Sequence, residues 1–310
     1  MEKIPLPIFL FPQSIVSTLL QPLRCRSIVA YDTCLLSFTT INIVARVGGL
    51  PAAVSNFAEE HSFIGVEQIH HDLLSSYRDD FSKYAGRLSL NRLDELLNKL
   101  PFFLGKKFIY QHVNKEVSTA AIKQALQLLI KAKMCSPIYC TSANGVPLAA
   151  EIRDREFKMA FLDVGLASTA LGLKTKTPLD LINQGPISEQ IVAQLLRTIN
   201  PFYVEPALYY WAREEKGASA ELDYVIAHEG EIIPIEVKAG STGSLKSLHV
   251  FMGLKKRKLA VRINSELPSV VAVEVKSPMG EFVKYNLLSL PFYLTEEICR
   301  LIDQVAIVKC

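Results

Sequence analysis

The patterning of this chain predicts an α/β protein: a helical module that ends in a short hairpin, then a mixed sheet flanked by helices. Three observations lead there. Apolar residues recur at helical spacing over 89–100, 119–133 and 191–199. Runs rich in β-formers lie at 138–141, 157–162 and 222–237, the last broken by a turn signal. Hydrophobic residues make up 49% of the 310 residues and charged ones 21%, a balance that suits a well-buried globular protein and excludes a disordered one.

From the N-terminus, Ile4–Leu23 is strongly apolar, but Pro5, Pro7, Pro12 and Pro22 and polar Gln13, Ser14, Ser17 and Thr18 interrupt it. It reads as a partly packed segment, and no membrane partner is expected. Phe63–Tyr84 has a helical pattern, with Tyr77, Arg78, Asp79 and Asp80 as the material of a salt-bridged seam between modules. In Ser89–Leu100, Leu90, Leu93, Leu96, Leu97 and Leu100 form one stripe behind a Ser89 cap. Ser118 caps a second helix, Thr119–Lys133, with Ile122, Ala125, Leu126 and Leu129 inward. Two β-like runs follow, and helices followed by a hairpin suggest a winged helix. Lys123, Gln127 and Lys131 on the exposed face would touch phosphates or bases of DNA. A solvated lysine face is normal on any helix, and winged helices also mediate protein contacts, so both readings stand.

The chemistry is concentrated in Ala220–Gly240. Two β-forming runs flank His228-Glu229-Gly230-Glu231, where Glu229-Gly230 is the strongest turn signal. If those two residues form the loop, His228 pairs with Glu231. Equal steps along each strand then set Asp223 opposite Glu236. Opposed Cβ atoms in such a pair lie roughly 4.5–5.5 Å apart. Lys238 shares the face of Glu236. Val225, Ile226, Ile233, Ile235 and Val237 around them are apolar on both faces, as in a buried central strand. A buried carboxylate pair needs a compensating cation, and Mg²⁺ suits oxygen ligands of this kind. Such an ion polarises a phosphoryl oxygen and activates water, and Lys238 would assist. The plain alternative is a surface hairpin with a weak Glu–Lys pair.

Upstream, Gly185-Pro186 reads as a helix start, and Ile191, Val192, Leu195, Leu196 and Ile199 follow as an apolar stripe. Glu189 falls at the edge of that buried arc, where it would be a third ligand of the same metal. As a first-turn acid it would equally serve the helix dipole.

Glu189, Asp223 and Glu236-Val237-Lys238, in the order helix, strand, strand, resemble the PD-(D/E)XK superfamily of restriction-endonuclease-like folds, although Leu222 stands where that motif often has proline. Segments such as SSYRDDFSKYA (75–85), TSANGVPLAAEI (141–152), ALYYWAREEKGASAELDYVI (207–226) and PIEVKAGSTGSLKSLHVFM (234–252) are similar to domain of unknown function 4143, the C-terminal domain of bacterial and archaeal AAA-type ATPases. The resemblance runs from about Gly48 to Thr295. It implies a nuclease-like core with Asp223, Glu236 and Lys238 as its catalytic set and Glu189, Asp223 and Glu236 as its metal ligands. In that family an ATPase module with a P-loop normally precedes this region, which implies either a chain that works alone or one served by a separate ATPase.

No Gly-x-x-x-x-Gly-Lys-Ser/Thr occurs, so the chain is expected not to bind ATP by that route. The expected organisation is a divergent segment at 1–47, left over from a missing ATPase region, and a helical linker at 48–88. A winged-helix module at 89–175, a nuclease-like domain at 180–295 and a tail at 296–310 follow. Lys255, Lys256, Arg257 and Lys258 form a basic run that would face a phosphate backbone or a solvated turn. Net charge of +3 neither demands nor excludes nucleic acid. The six cysteines form no metal-spaced or disulfide framework and read as reduced thiols of a cytoplasmic protein. The functional expectation is a Mg²⁺-dependent DNA nuclease-like protein that works alone or with a separate ATPase subunit. The alternative is a non-catalytic nucleic-acid or protein binding module that uses the nuclease fold as a platform.

Overall fold

One mixed sheet of eight strands, in the order β2-β1-β3-β4-β5-β6-β8-β7, organises the molecule. The computed structural model describes residues 41–84, 89–173, 181–215, 219–239 and 244–307. The expected N-terminal apolar segment, Cys25, Cys34 and Cys310 lie outside them. Cys135, Cys140 and Cys299 are free thiols. Among the described residues no helix is long and apolar enough to cross a membrane.

A short helix at 41–47 leads into α1 (Pro51–Glu60), α2 (Phe63–Tyr84), α3 (Leu90–Lys99), α4 (Tyr110–Val113) and α5 (Thr119–Lys131). Most of the expected stripes is buried, Leu93, Leu96 and Leu97 in α3 with Leu100 just after it, and Ile122, Ala125, Leu126 and Leu129 in α5; Leu90, at the first turn of α3, is 45% exposed and stands outside the core. Ser118 caps α5 by accepting from the Ala121 N–H, whereas Ser89 at α3 makes no side-chain cap bond. Arg78 joins α2, in the expected linker, to α3, in the expected winged-helix module, through Asp94 at 2.8 Å, whereas Asp80 pairs with Lys83 inside α2.

The hairpin expected as a wing is β1 (Cys135–Thr141) with β2 (Ile152–Phe161), antiparallel. It does not stand apart. β1 also pairs in parallel with β3 (Leu208–Arg213), which merges the hairpin into the main sheet. Between them run α6 (Val164–Ala170) and α7 (Leu181–Leu196). The helix start read at Gly185-Pro186 needs correction: α7 begins at Leu181 and runs on through Pro186. The missing proline N–H removes one bond near the helix start but does not end the helix.

β4 (Ala220–His228), β5 (Glu231–Val237), α8 (Lys246–Lys255), β6 (Leu259–Asn264), β7 (Ser269–Lys276), β8 (Phe282–Pro291) and α9 (Ile298–Ile307) complete the fold. β6 is parallel to β5 and β8, and β7 is antiparallel to β8. The larger core joins one sheet face to α7, α9 and the helical module, with Tyr210, Tyr224, Ile235 and Val237 in it. A second core covers the other face under α8, around Trp211, Leu222, Phe251 and Tyr285.

Candidate active site

Glu229 and Gly230 form the two-residue turn, with φ of 48° and 78°, as a mirror-image hairpin turn requires. His228 faces Glu231, and the ladder runs to Tyr224 opposite Ile235. One further step sets Asp223 against Glu236, the register expected from the sequence. There the regular ladder gives way. Asp223 Oδ2 accepts from the Val237 N–H at 2.7 Å, so a side chain takes up a backbone donor. On its other side β4 is bulged: Tyr209 faces Val225, but Trp211 faces Leu222. Asp223 and Tyr224 together stand where β3 offers only Tyr210, and a bulge re-aims side chains in this way.

Ile235 and Val237 lie in the larger core, so alternation sends Glu236 to the opposite face. Lys238 meets it there, Nζ to Oε1, at 2.6 Å. The other oxygen, Glu236 Oε2, is buried and has no hydrogen-bond partner.

Glu189 comes from α7, which is locked in place by two glutamines one turn apart. Gln190 accepts from the Phe161 N–H at 2.8 Å and donates to its carbonyl at 3.0 Å. Gln194 accepts from the Val164 N–H and donates to Asp163, the cap of α6. Tyr224 Oη donates to the Glu189 carbonyl at 2.8 Å. The Glu189 carboxylate is then fixed against Lys158 Nζ at 3.4 Å, and Glu221 Oε1 takes the same ammonium at 2.5 Å. Lys158 is only 2% exposed and lies over the Tyr210 ring. Gly105, at a φ of 70°, lets its loop pass close by; a Cβ there would stand 3.2 Å from both Glu189 carboxylate oxygens.

Burial is the first cause of the electrostatics. It pushes Glu189 up to about 8, with Asp223 adding to the shift and Lys158 opposing it. It pushes Glu236 up to about 7, again with Asp223 adding and Lys238 opposing. Asp223 is raised by burial against the pull of Lys158 and Lys238. Burial works to lower Lys158, but Glu189, Glu221 and Asp223 outweigh it and hold the ammonium above its usual range. The result is one electrostatic row, Lys158–Glu189/Glu221–Asp223–Glu236–Lys238, with Asp223 felt from both ends.

Of the expected residues, the fold brings Asp223, Glu236 and Lys238 together and places Glu189 beside Asp223. With Glu189 turned to Lys158 and Glu236 to Lys238, no set of three or more His, Cys, Asp or Glu side chains among the described residues is grouped to hold a metal ion. Lys123, Gln127 and Lys131 are exposed along one face of α5. The basic run is placed elsewhere. Lys255 and Arg257 both donate to Asn144, and Arg257 lies 3.7 Å from Glu231, at the turn end of β5. At about 3.3 Å per residue that is roughly 17 Å along the strand from Glu236. Lys256 is exposed at the α8 C-cap with a φ of 49°.

Sequence reasoning missed Lys158 and Glu221. Glu221 carried a signal, two residues before Asp223 on the same strand. Lys158 carried a fainter one, as the one cation in the otherwise apolar run Phe157–Phe161.

Comparison with known proteins narrows the resemblance expected from Gly48 to Thr295, because two different families share that span. Residues 40–177 match the family described as Domain of unknown function (DUF8612), and residues 184–269 match Domain of unknown function (DUF4143). No curated protein and no solved structure matches the chain. The second match carries Glu189, Glu221, Asp223, Glu236 and Lys238; the first carries Lys158.

Proposed function

We propose that Asp223, Glu236 and Lys238 form the centre of a Mg²⁺-dependent nuclease acting on DNA. The observation that carries this reading is the Asp223–Glu236 register, with Glu236 Oε2 buried and unpartnered beside Lys238. The donor set is all oxygen, and one or two carboxylates are a usual protein contribution to a Mg²⁺ site. Asp223 and Glu236 would hold the ion. When bound, it would polarise a phosphoryl oxygen and lower the pKa of a coordinated water. Lys238 would balance charge developing on the phosphate. The Glu189–Lys158 pair would position Asp223 electrostatically from the other side. The Glu221 N–H donates to Ser247 Oγ at 3.3 Å, which puts the positive end of α8 beside the cluster and favours an anion there. The exposed α5 face of Lys123, Gln127 and Lys131 would meet the phosphate backbone.

A second reading, a non-catalytic binding platform, is favoured by one observation. Lys158 and Lys238 already neutralise part of the acid cluster, so the site is charge-compensated without a metal. Incubation of plasmid and oligonucleotide DNA with Mg²⁺ or Mn²⁺ separates the two. The nuclease reading expects cleavage by the wild-type chain that is lost in Asp223→Ala and cut at least about a hundredfold in Lys238→Ala. Equal activity in all three proteins removes this site from the chemistry. Retained DNA binding without cleavage supports the platform.

A further inference from the structure

β7 ends the sheet, with β8 on one side and, among the described residues, no strand on the other. It is eight residues long, contains neither Pro nor Gly, and keeps an unbroken ladder with β8 from Ser269–Ser289 to Lys276–Phe282. Val270 and Val271 are each 52% exposed. Natural sheets blunt such an edge with charges, prolines or bulges, because its free N–H and C=O groups are a template for another strand. The opposite edge is treated differently: Lys107 bridges to Lys158 and covers part of β2. On β7 the only charges are Glu274 and Lys276 at one end, and Glu274 is already paired with Lys284.

We propose that β7 pairs antiparallel with β7 of a second copy of this chain, joining two sheets through a two-fold axis at Val273. The sequence of the strand selects this occupant and this register. Alternate residues point their backbone groups outward, so a symmetric antiparallel pair must have its axis at a residue position, not between two. With the axis at Val273, Val271 faces Val275 of the second copy, Val273 faces its own counterpart, and Val275 faces Val271. All three pairs share one face.

That face is the one on which Val271, Val273 and Val275 stand beside Leu287, Tyr285 and Val283. Those three β8 residues are buried in the second core. The pairing therefore extends a buried apolar row outward instead of creating a new one. An axis at Glu274 would set that carboxylate against its own copy, which is unfavourable. An axis at Ala272 would still set Val271 against Val273 but would put Val275 against Ser269 and Val270 against Glu274. The axis at Val273 is thus the one that sets every valine of the row against a valine, the self-complementarity a two-fold interface requires.

Light scattering on the eluting full-length protein tests this. The wild-type chain elutes as a dimer that dissociates on dilution. Val271→Lys, at a half-exposed position, keeps the far-UV spectrum and melting temperature and raises the dimer dissociation constant roughly tenfold or more. Val270→Lys is the second variant: it lies on the other face and sets a lysine against Lys276 of the second copy. The amide hydrogens of 269–276 that point away from β8 exchange slowly in the dimer and fast in both variants. A wild-type chain that stays monomeric at every concentration overturns the proposal. So does a dimer that survives both substitutions, or one whose outward-facing 269–276 amides exchange freely.

Discussion

Lys158 determines how the acids of the site can behave. It is the buried cation that Glu189 and Glu221 share, and its loss would leave both carboxylates without that partner. Breaking a buried pair from one side costs about 3–5 kcal/mol. Lys158→Met is therefore expected to lose stability of that order in urea denaturation; an unchanged midpoint would show that the ammonium is not holding the cluster. Glu189 and Glu236 supply a pH dependence of definite sign. Their folded-state pKa values, about 8 and about 7, lie above the usual glutamate value of 4.5. The folded chain then binds protons more tightly than the unfolded one, so this contribution is favourable at low pH and is lost as pH rises from about 4.5 through 8. Stability of the metal-free protein should fall across that window. Glu189→Gln and Glu236→Gln should each flatten the fall, and a profile as steep in both variants as in the wild type would contradict the assignment. Asp223 and Glu236 were legible in the sequence because the residues that place them are local. Lys158 was not, since its partners arrive from a helix and a strand 31 and 63 positions away, and no local pattern records such a pairing.

The β4–β5 hairpin is the element that turns sequence into site geometry. Its register depends on Glu229 and Gly230 both taking positive φ. A Cβ added to Gly230 meets no atom within 4 Å, so a substitution there acts through the backbone alone. Gly230→Val should cost about 1–3 kcal/mol, read as a lower urea midpoint. It should also weaken the Asp223–Glu236 pairing, because a one-residue slip sends the whole strand to the other face. Full stability in that variant would mean the turn is not setting the register. The hairpin was readable from turn chemistry and β-forming runs. The bulge at Asp223 was not, because it arises where β4 meets β3, a strand whose pairing the sequence does not announce. The α7 boundary was misread for a related reason. Gly185-Pro186 looks like punctuation in isolation, while the packing of Gln190 and Gln194 against Phe161 and Asp163 holds the helix across it.

The α/β class and the order of helical module before sheet follow from periodicity, and the molecule has both. What periodicity could not show is that β1 and β2 belong to the main sheet. The parallel β1–β3 pairing, the larger core and the site all cross the boundary between the two family matches. Lys158 on one side is bonded to Glu189 and Glu221 on the other. Unfolding should accordingly be a single transition, with Trp211 fluorescence and far-UV circular dichroism giving coincident curves. Two separated transitions would show the halves to be independent.

Titration calorimetry with Mn²⁺ at pH 8, where Glu236 is ionised, tests the Asp223–Glu236 centre most directly. The wild-type chain should bind one ion, binding should weaken as pH falls below about 7, and Asp223→Asn should abolish it. No binding in the wild type, or the same binding in both proteins, would contradict a metal centre at this hairpin.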